Sequence, residues 1–195
     1  MTITAGPAIE PIVLADAQKY IEYAGDDRDD LINLVITSAR QEVEKRTRRQ
    51  LITATYAWTL DDFPGTSGFL YYPHPPYQST VSLAYNDLDG TAQTLTEGTD
   101  FVVGTPESHA GKSRAVPAYG YVWPGTYTEP DAVTVTYKAG YGDNAADVPE
   151  ALRLAMYMLI SAGFDWRPGV VEFKTDAIRE RLMMLLASYV VPEFG

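Results

Sequence analysis

The pattern of apolar and polar positions changes period twice along this chain. From Leu14 to Arg49 apolar residues recur at helical spacing. From Leu51 to Lys138 they alternate or gather in short runs between turn residues, and from Val148 to Val190 the helical spacing returns. The first segment predicts a helix over Leu14–Ala24, with Leu14, Ala17, Ile21 and Ala24 on one face and Gly25 closing it. A second helix follows, capped by Asp26 or Asp27, with Asp29 and Asp30 in the first turn, where the helix dipole favours carboxylates. Its apolar stripe is Leu31, Ile32, Val35, Ile36, Ala39 and Val43. Arg40, Glu44 and Arg48 fall on the opposite side, and Arg46, Arg48 and Arg49 complement the negative C-terminal end.

In the middle, Ala54, Tyr56, Trp58 and Leu60 alternate with small polar residues, as a half-buried strand requires. Val81, Leu83 and Tyr85 repeat the pattern, and Asn86-Asp87-Leu88-Asp89-Gly90 reads as a hairpin turn returning through Gln93–Leu95. Phe101–Val103 and Val133–Lys138 predict two more strands. Between these two lies the turn-rich stretch Gly104–Pro130, with prolines at 106, 117, 124 and 130. Asp147 then reads as the cap of a third helix, with Pro149 in its first turn and Glu150 completing a capping box. Leu152, Leu154, Ala155, Met156, Met158, Leu159 and Ile160 leave that helix little polar face, so it expects cover from several sides. A last helix starts near Thr175 and presents Ile178, Leu182, Leu185, Leu186 and Tyr189. The tail Val190–Gly195 carries apolar groups with no evident core to join.

These elements predict an α+β fold. Helices from both ends form a four-helix body, at about residues 1–50 and 147–195, around an inserted antiparallel β unit at about 51–146. A chain of 195 residues without cysteine has the length to bury a core unaided, and thiolate metal sites, disulfides and cysteine nucleophiles are excluded. Met1–Ile12 lacks the pattern of a secretory signal, and no apolar run reaches the roughly eighteen residues of a membrane span. The expected setting is the cytoplasm or a particle assembled there. A net charge of −11 argues against a nucleic-acid clamp, whose grip comes from clustered Lys and Arg.

No set of residues is spaced for catalysis, cofactor or metal. Gly111-Lys112-Ser113 resembles the end of a phosphate-binding loop, but position 106 is proline and Arg114–Pro117 starts no helix. Gly140-Tyr141-Gly142 follows a strand, yet the helix after it begins beyond the glycines and no further strand completes a dinucleotide unit. The structural reading is a tight strand-to-helix turn. Asp26–Asp30 reads as helix-start chemistry rather than a calcium loop, and Asp61-Asp62 as a solvated turn. His74 and His109 lack spaced metal-binding partners. The basic run Lys45, Arg46, Arg48, Arg49 reads first as helix-end complementation, then as a salt-bridge surface for an acidic neighbour, and last as a DNA contact. Aromatics gather in Tyr119-Gly120-Tyr121-Val122-Trp123-Pro124 as a patch of the kind interfaces use; sugar binding is the competing use.

Several segments together resemble the phage head–tail connector (head completion, adaptor) proteins, in the branch with a β insertion between helix pairs. They are Val13–Ala17 before an Asp-rich helix start, Ala39–Glu44 running into Arg48–Ile52, Pro75–Ser79, Pro117–Gly120 with Trp123-Pro124, and Ala139–Asp143 leading to Val148-Pro149 and Leu152-Arg153. The chain departs from that pattern after Trp166. The resemblance implies a non-enzymatic virion protein without cofactor, a ring usually of twelve copies beneath the portal. Such a ring extends the DNA channel without gripping DNA and offers a platform to a tail-side stopper or terminator protein. C-terminal segments of that family commonly engage the portal. On this reading the candidate subunit or portal contacts are Arg40, Arg46, Arg48, Leu154, Met158, Tyr119, Tyr121, Trp123, Tyr189 and Phe194. A monomeric carbohydrate- or peptide-binding module using the Tyr/Trp loops is the alternative, and a hydrolase built on His109 a third.

Overall fold

The computed structural model describes residues 1–65, 68–105, 111–165 and 175–192. The chain divides into two compact units, one of Met1–Pro7 with Thr53–Gly140 and one of Ala8–Ile52 with Tyr141–Gly195. Among the described residues the fold is α+β, with four α-helices and antiparallel sheets.

The helical unit holds α1 (Leu14–Tyr20), α2 (Asp29–Thr47), α3 (Glu150–Asp165) and α4 (Thr175–Leu186), with 3-10 turns at Ala145–Asp147 and Ala187–Tyr189. Its core is the predicted stripe of α2 (Ile32, Ile36, Ala39, Val43) against Leu152, Ala155, Met156 and Ile160 of α3, closed by Leu182 and Leu186 of α4. Gly163 lets α3 pack tightly on α2: an added Cβ there would lie 2.9 Å from Val35 Cγ1.

Three local expectations fail here. α1 stops at Tyr20 rather than Ala24, because Glu22 turns left-handed at φ 54°. Neither Asp26 nor Asp27 caps α2. The cap position is Arg28, the Asp27 carboxylate takes the Tyr23 hydroxyl, and Asp29 accepts from Gln18 Nε2 at 2.7 Å. Asp147 does not cap α3 either. Its Oδ2 reaches back to the backbone N–H of Asn144 at 2.9 Å and closes the preceding 3-10 turn.

The second unit holds two antiparallel sheets. β1 (Thr2–Ala5), β2 (Ala54–Leu60), β8 (Val133–Ala139), β4 (Tyr77–Asn86) and β5 (Ala92–Leu95) lie side by side in that order. β3 (Leu70–Tyr71), β7 (Arg114–Pro117) and β6 (Phe101–Gly104) form the smaller sheet. The central β8 alternates as predicted: Val133, Val135, Tyr137 and Ala139 are buried, with Thr134 and Thr136 half-buried between them. Tyr137 lies across from Tyr56 on β2 and Thr80 on β4, so the inward face is built from three neighbouring strands. The hairpin predicted at Asn86–Gly90 forms, pairing Asn86 with Ala92.

Strands β1, β3 and β7 are additions to the predicted set. β1 is exposed along its whole length and exists only by pairing with β2. β7 lies inside the stretch expected to be turn-rich. Its inward residue, Ala115, is too small to mark an alternation, and Pro117 ends it.

Candidate interaction surfaces

The predicted contact residues separate into buried and exposed groups. Arg40 is buried and held by two carboxylates: Nε and Nη2 donate to Glu10 at 2.7 and 3.3 Å, and Nη1 donates to Glu44 at 2.8 Å. Glu10 also accepts from Thr37 Oγ1 at 3.0 Å, and Glu44 from Gln50 Nε2 at 2.8 Å and Leu51 N at 3.2 Å. Burial alone pulls the Arg40 pKa down, but the two carboxylates outweigh it and the net shift is upward. Burial pushes Glu44 above the usual carboxylate range, against the pull of Arg40. The network ties the segment before α1 to the exit from α2. Arg40 is thus committed within its own chain.

Arg46 pairs with Glu42 one turn earlier at 2.6 Å, in solvent. Arg48 takes a left-handed backbone at φ 56°, ends α2, and donates through Nη1 to the carbonyl of Val191 at 3.2 Å. Arg49 is buried and donates through Nε to the carbonyl of Tyr189 at 2.6 Å. Its Nη2 and the Tyr141 hydroxyl have no hydrogen-bond partner among the described residues. Burial holds the Arg49 guanidinium below its ordinary value, with Tyr141 and Tyr189 acting against that shift.

The segment after α4 is the surprise of this unit. Val191 is buried, and its N–H donates to the carbonyl of Thr47 at 3.0 Å. The tail therefore does have a core to join, and the end of α2 grips it through Thr47, Arg48 and Arg49. A basic run at a helix end gives no hint of a clasp for residues some 140 positions away. Phe194 lies outside the described residues, as do Trp166 and His109.

On α3, Leu154 is 39% exposed and Met158, one turn on, is half-buried, while Leu152 and Met156 are fully inside. Within the chain the cover expected from several sides is incomplete at Leu154.

In the sheet unit the loop after β7 also splits in two. Trp123 is not part of an exposed patch. It is buried, stacks on Phe63 at 4.9 Å between ring centroids, and donates from Nε1 to the carbonyl of Gly68 at 2.8 Å. Around this anchor Tyr119 is fully exposed, with Tyr121 and Val122 exposed beside it. Backbone bonds from Ala118 N to Asp100 O (2.9 Å) and Tyr127 N to Asn86 O (3.1 Å) fix both ends of the loop. It presents aromatic rings from a rigid base, and no charged residue occurs from Ala115 to Thr128.

A recess of about 390 Å³ lies where β2 ends and β8 begins, lined by Asp61, Asp62 and Thr126–Pro130. Asp61 Oδ1 accepts from Asp131 N at 3.0 Å, Asp62 Oδ1 from Thr126 Oγ1 at 2.9 Å, and Glu129 Oε1 from Asn86 Nδ2 at 2.6 Å. Its hydroxyls are those of Thr126, Tyr127 and Thr128, and no histidine lines it to act as a base. Among the described residues no group of His, Cys, Asp and Glu is arranged to hold a metal, and no helix is long and apolar enough to cross a membrane.

The two glycine motifs have structural roles. Ser113 is followed by strand β7 rather than a helix. Gly140 N donates to Pro76 O at 2.9 Å and Tyr141 N to Leu51 O at 3.0 Å, so those amides are occupied within the chain. A Cβ on Gly142 would collide with the Asp147 carboxylate. His74 stacks on Tyr56 at 5.1 Å, and burial, then Lys112, holds its pKa below the ordinary value, so it is neutral at pH 7.

No family model matches the sequence, and no curated protein sequence is significantly similar to it. The fold, however, is that of known particle components. The chain is similar over its full length to one in the neck of an empty gene transfer agent (GTA) particle computed with C6 symmetry. That match has a TM-score of 0.77 at 16% identity and covers 100% of this chain and 98% of that one. A chain of the virion of the native GTA particle gives a TM-score of 0.75 at 18% identity, with the same coverage of both chains. A chain in the neck of the native particle computed with C12 symmetry gives 0.69 at 16%, again over 100% and 98%.

Proposed function

We propose that this protein is a structural subunit of a virion neck, a head–tail adaptor that closes into a ring of like copies under the portal. The observation that carries the reading is the full-length match: both units, in this chain order, occur together in chains of GTA necks. The C6 and C12 symmetries of those neck computations support a ring, with twelve copies as the reading we adopt. The ring would extend the DNA channel and receive a tail-side stopper or terminator protein. A net charge of −11 suits a conduit that lets DNA pass without holding it. The role assigned is non-enzymatic, in a particle assembled in the host cytoplasm.

Within that ring, the open side of α3 at Leu154 and Met158 would face a neighbouring copy, and the Tyr119–Tyr121 loop a neighbour or a tail component. Residues beyond Pro192, Phe194 among them, would engage the portal, with Tyr189 and Arg48 holding the tail's base.

Electron microscopy of the protein mixed with a portal ring, together with solution mass, tests the reading. Annular particles stacked on the portal are expected. A chain that stays a lone unit beside the portal while binding a sugar or peptide through Tyr119 would overturn it in favour of the binding-module alternative. Ending the chain after Pro192 preserves the Val191 clasp and is expected to weaken portal docking; unchanged docking removes that role from Phe194.

A further inference from the structure

The outer face of the small sheet carries a cation with no carboxylate partner among the described residues. Across its three strands Tyr71, Arg114 and Gly104 stand in one register row, all exposed, while Leu70, Ala115 and Phe101 point inward and are buried. The Arg114 guanidinium lies 4.6 Å from the centroid of the Phe69 ring, and Phe69 packs edge-on against Tyr71 at 6.0 Å. Phe69 and Tyr71 are nearly half exposed. No carboxylate among the described residues comes within 4.0 Å of Arg114. An arginine fixed over an aromatic ring, on an otherwise uncharged face, matches a carboxylate brought in from outside.

The same unit supplies the complement. It has nine acidic residues against three cations, Lys112, Arg114 and Lys138. Three of the acids, Asp61, Asp62 and Glu129, line the recess at the end of β2, and none has a cation within 4.0 Å among the described residues. Each uses one oxygen within its own chain, Asp62 Oδ1 accepting from both Phe63 N and Thr126 Oγ1, which fixes its direction, and the other oxygen accepts nothing from a described residue. The recess, about 390 Å³, has room for a guanidinium side chain.

We propose that Arg114, carried on its Phe69–Tyr71 platform, enters the Asp61–Asp62–Glu129 recess of a second copy of this chain. The contact is heterologous, with a different surface from each partner, and repetition of such a contact generates a ring when its rotation closes. This deepens the ring reading and rests on it.

Sedimentation velocity at rising concentration, up to about 1 mM, reads the contact directly. Wild type is expected to self-associate. Arg114→Glu, and separately Asp61→Lys combined with Asp62→Lys, each weaken association by about ten-fold or more. In an equimolar mixture Arg114 of the recess variant meets the intact recess of the other, and the carboxylate introduced at position 114 meets the two introduced lysines in the reverse contact, so association recovers above that of either variant alone. That recovery also shows both variants to be folded. A wild type that stays monomeric, a variant that associates like wild type, or a mixture no more associated than its components overturns the proposal. Microscopy with a portal separates it from the parent reading. Rings kept by Arg114→Glu overturn the contact alone; no wild-type rings, with association still recovered in the mixture, support the contact and overturn the ring.

Discussion

The two units bury polar groups by opposite means. In the helical unit the buried polar centre is ionic, with Arg40 between Glu10 and Glu44 and Arg49 against the Tyr189 carbonyl. In the sheet unit it is phenolic. Tyr137 donates to the Pro73 carbonyl at 2.7 Å, and the Tyr72 and Tyr77 hydroxyls share Thr80 Oγ1 at 2.9 and 2.8 Å. An ion pair can tie distant segments firmly, but losing one partner strands a charge in low dielectric. A tyrosine brings its own apolar area and leaves only one hydroxyl to satisfy. The helical unit should therefore break through its charges and the sheet unit through its rings.

The largest effect expected is on the ring side. Trp123→Ala removes the stack on Phe63 and the bond to Gly68, and leaves a cavity where the loop is anchored. A loss of about 3–5 kcal/mol in denaturant unfolding is expected. Tyr119→Ala, at a fully exposed position on the same loop, should shift the midpoint by no more than about 0.5 kcal/mol. Equal effects at the two positions would remove the division between anchor and presented surface.

On the charged side, Arg40→Ala leaves Glu10 and Glu44, both half-buried, without their cation, for a loss of about 3 kcal/mol, at the lower end for buried pairs because both carboxylates still meet solvent. Replacing all three together, Arg40→Met with Glu10→Gln and Glu44→Gln, should restore much of it, since no charge is then stranded. A triple variant as unstable as Arg40→Ala would show that the network works through packing instead.

Much of this contrast could be read in advance, and the gaps have a common origin. The stripe Ile32, Ile36, Ala39, Val43 and the alternation of Val133, Val135 and Tyr137 are local, so periodicity found them. The two-residue β3 and the wholly exposed β1 carry no periodic signal, because their partners lie far along the chain. The same holds for side chains. Arg40 sits on the polar side of its helix and looked free, but Glu10, thirty positions earlier, folds over it. Trp123 looked exposed among Tyr119 and Tyr121 until Phe63 was brought beneath it. Val191 looked loose until Thr47 accepted its amide. Long-range pairing decided each case.

High pH sharpens the comparison further. Burial, partly offset by Thr80, pushes Tyr77 up to about 12, and burial raises Tyr72 and Tyr137 as well. Unfolded tyrosines ionise near 10, so between about 10 and 12 the folded state holds more protons and stability falls as pH rises. The contribution is complete below 10 and lost as pH climbs through the folded values. For Tyr77 it is on the order of 2 kcal/mol. Part of the tyrosinate absorbance should rise only in step with loss of sheet structure, and Tyr77→Phe should reduce that part. All of the tyrosinate absorbance appearing near pH 10, with the sheets intact, would contradict the burial of these hydroxyls.

The smallest effect belongs to the charge that lies in solvent. Arg46 and Glu42 sit one turn apart on α2, each more than one third exposed. Water screens the pair, and holding two long side chains in one geometry opposes it, so Arg46→Ala should cost at most about 0.5 kcal/mol. Set against Arg40→Ala on the same helix, six residues away, the ratio measures what burial adds to one kind of interaction. If Arg46 faces a neighbouring copy in the ring, Arg46→Glu leaves the isolated chain's unfolding midpoint nearly unchanged but lowers the yield of annular particles on the portal. A substitution that leaves both readouts unchanged would show that the Arg46–Glu42 pair is ordinary solvated surface.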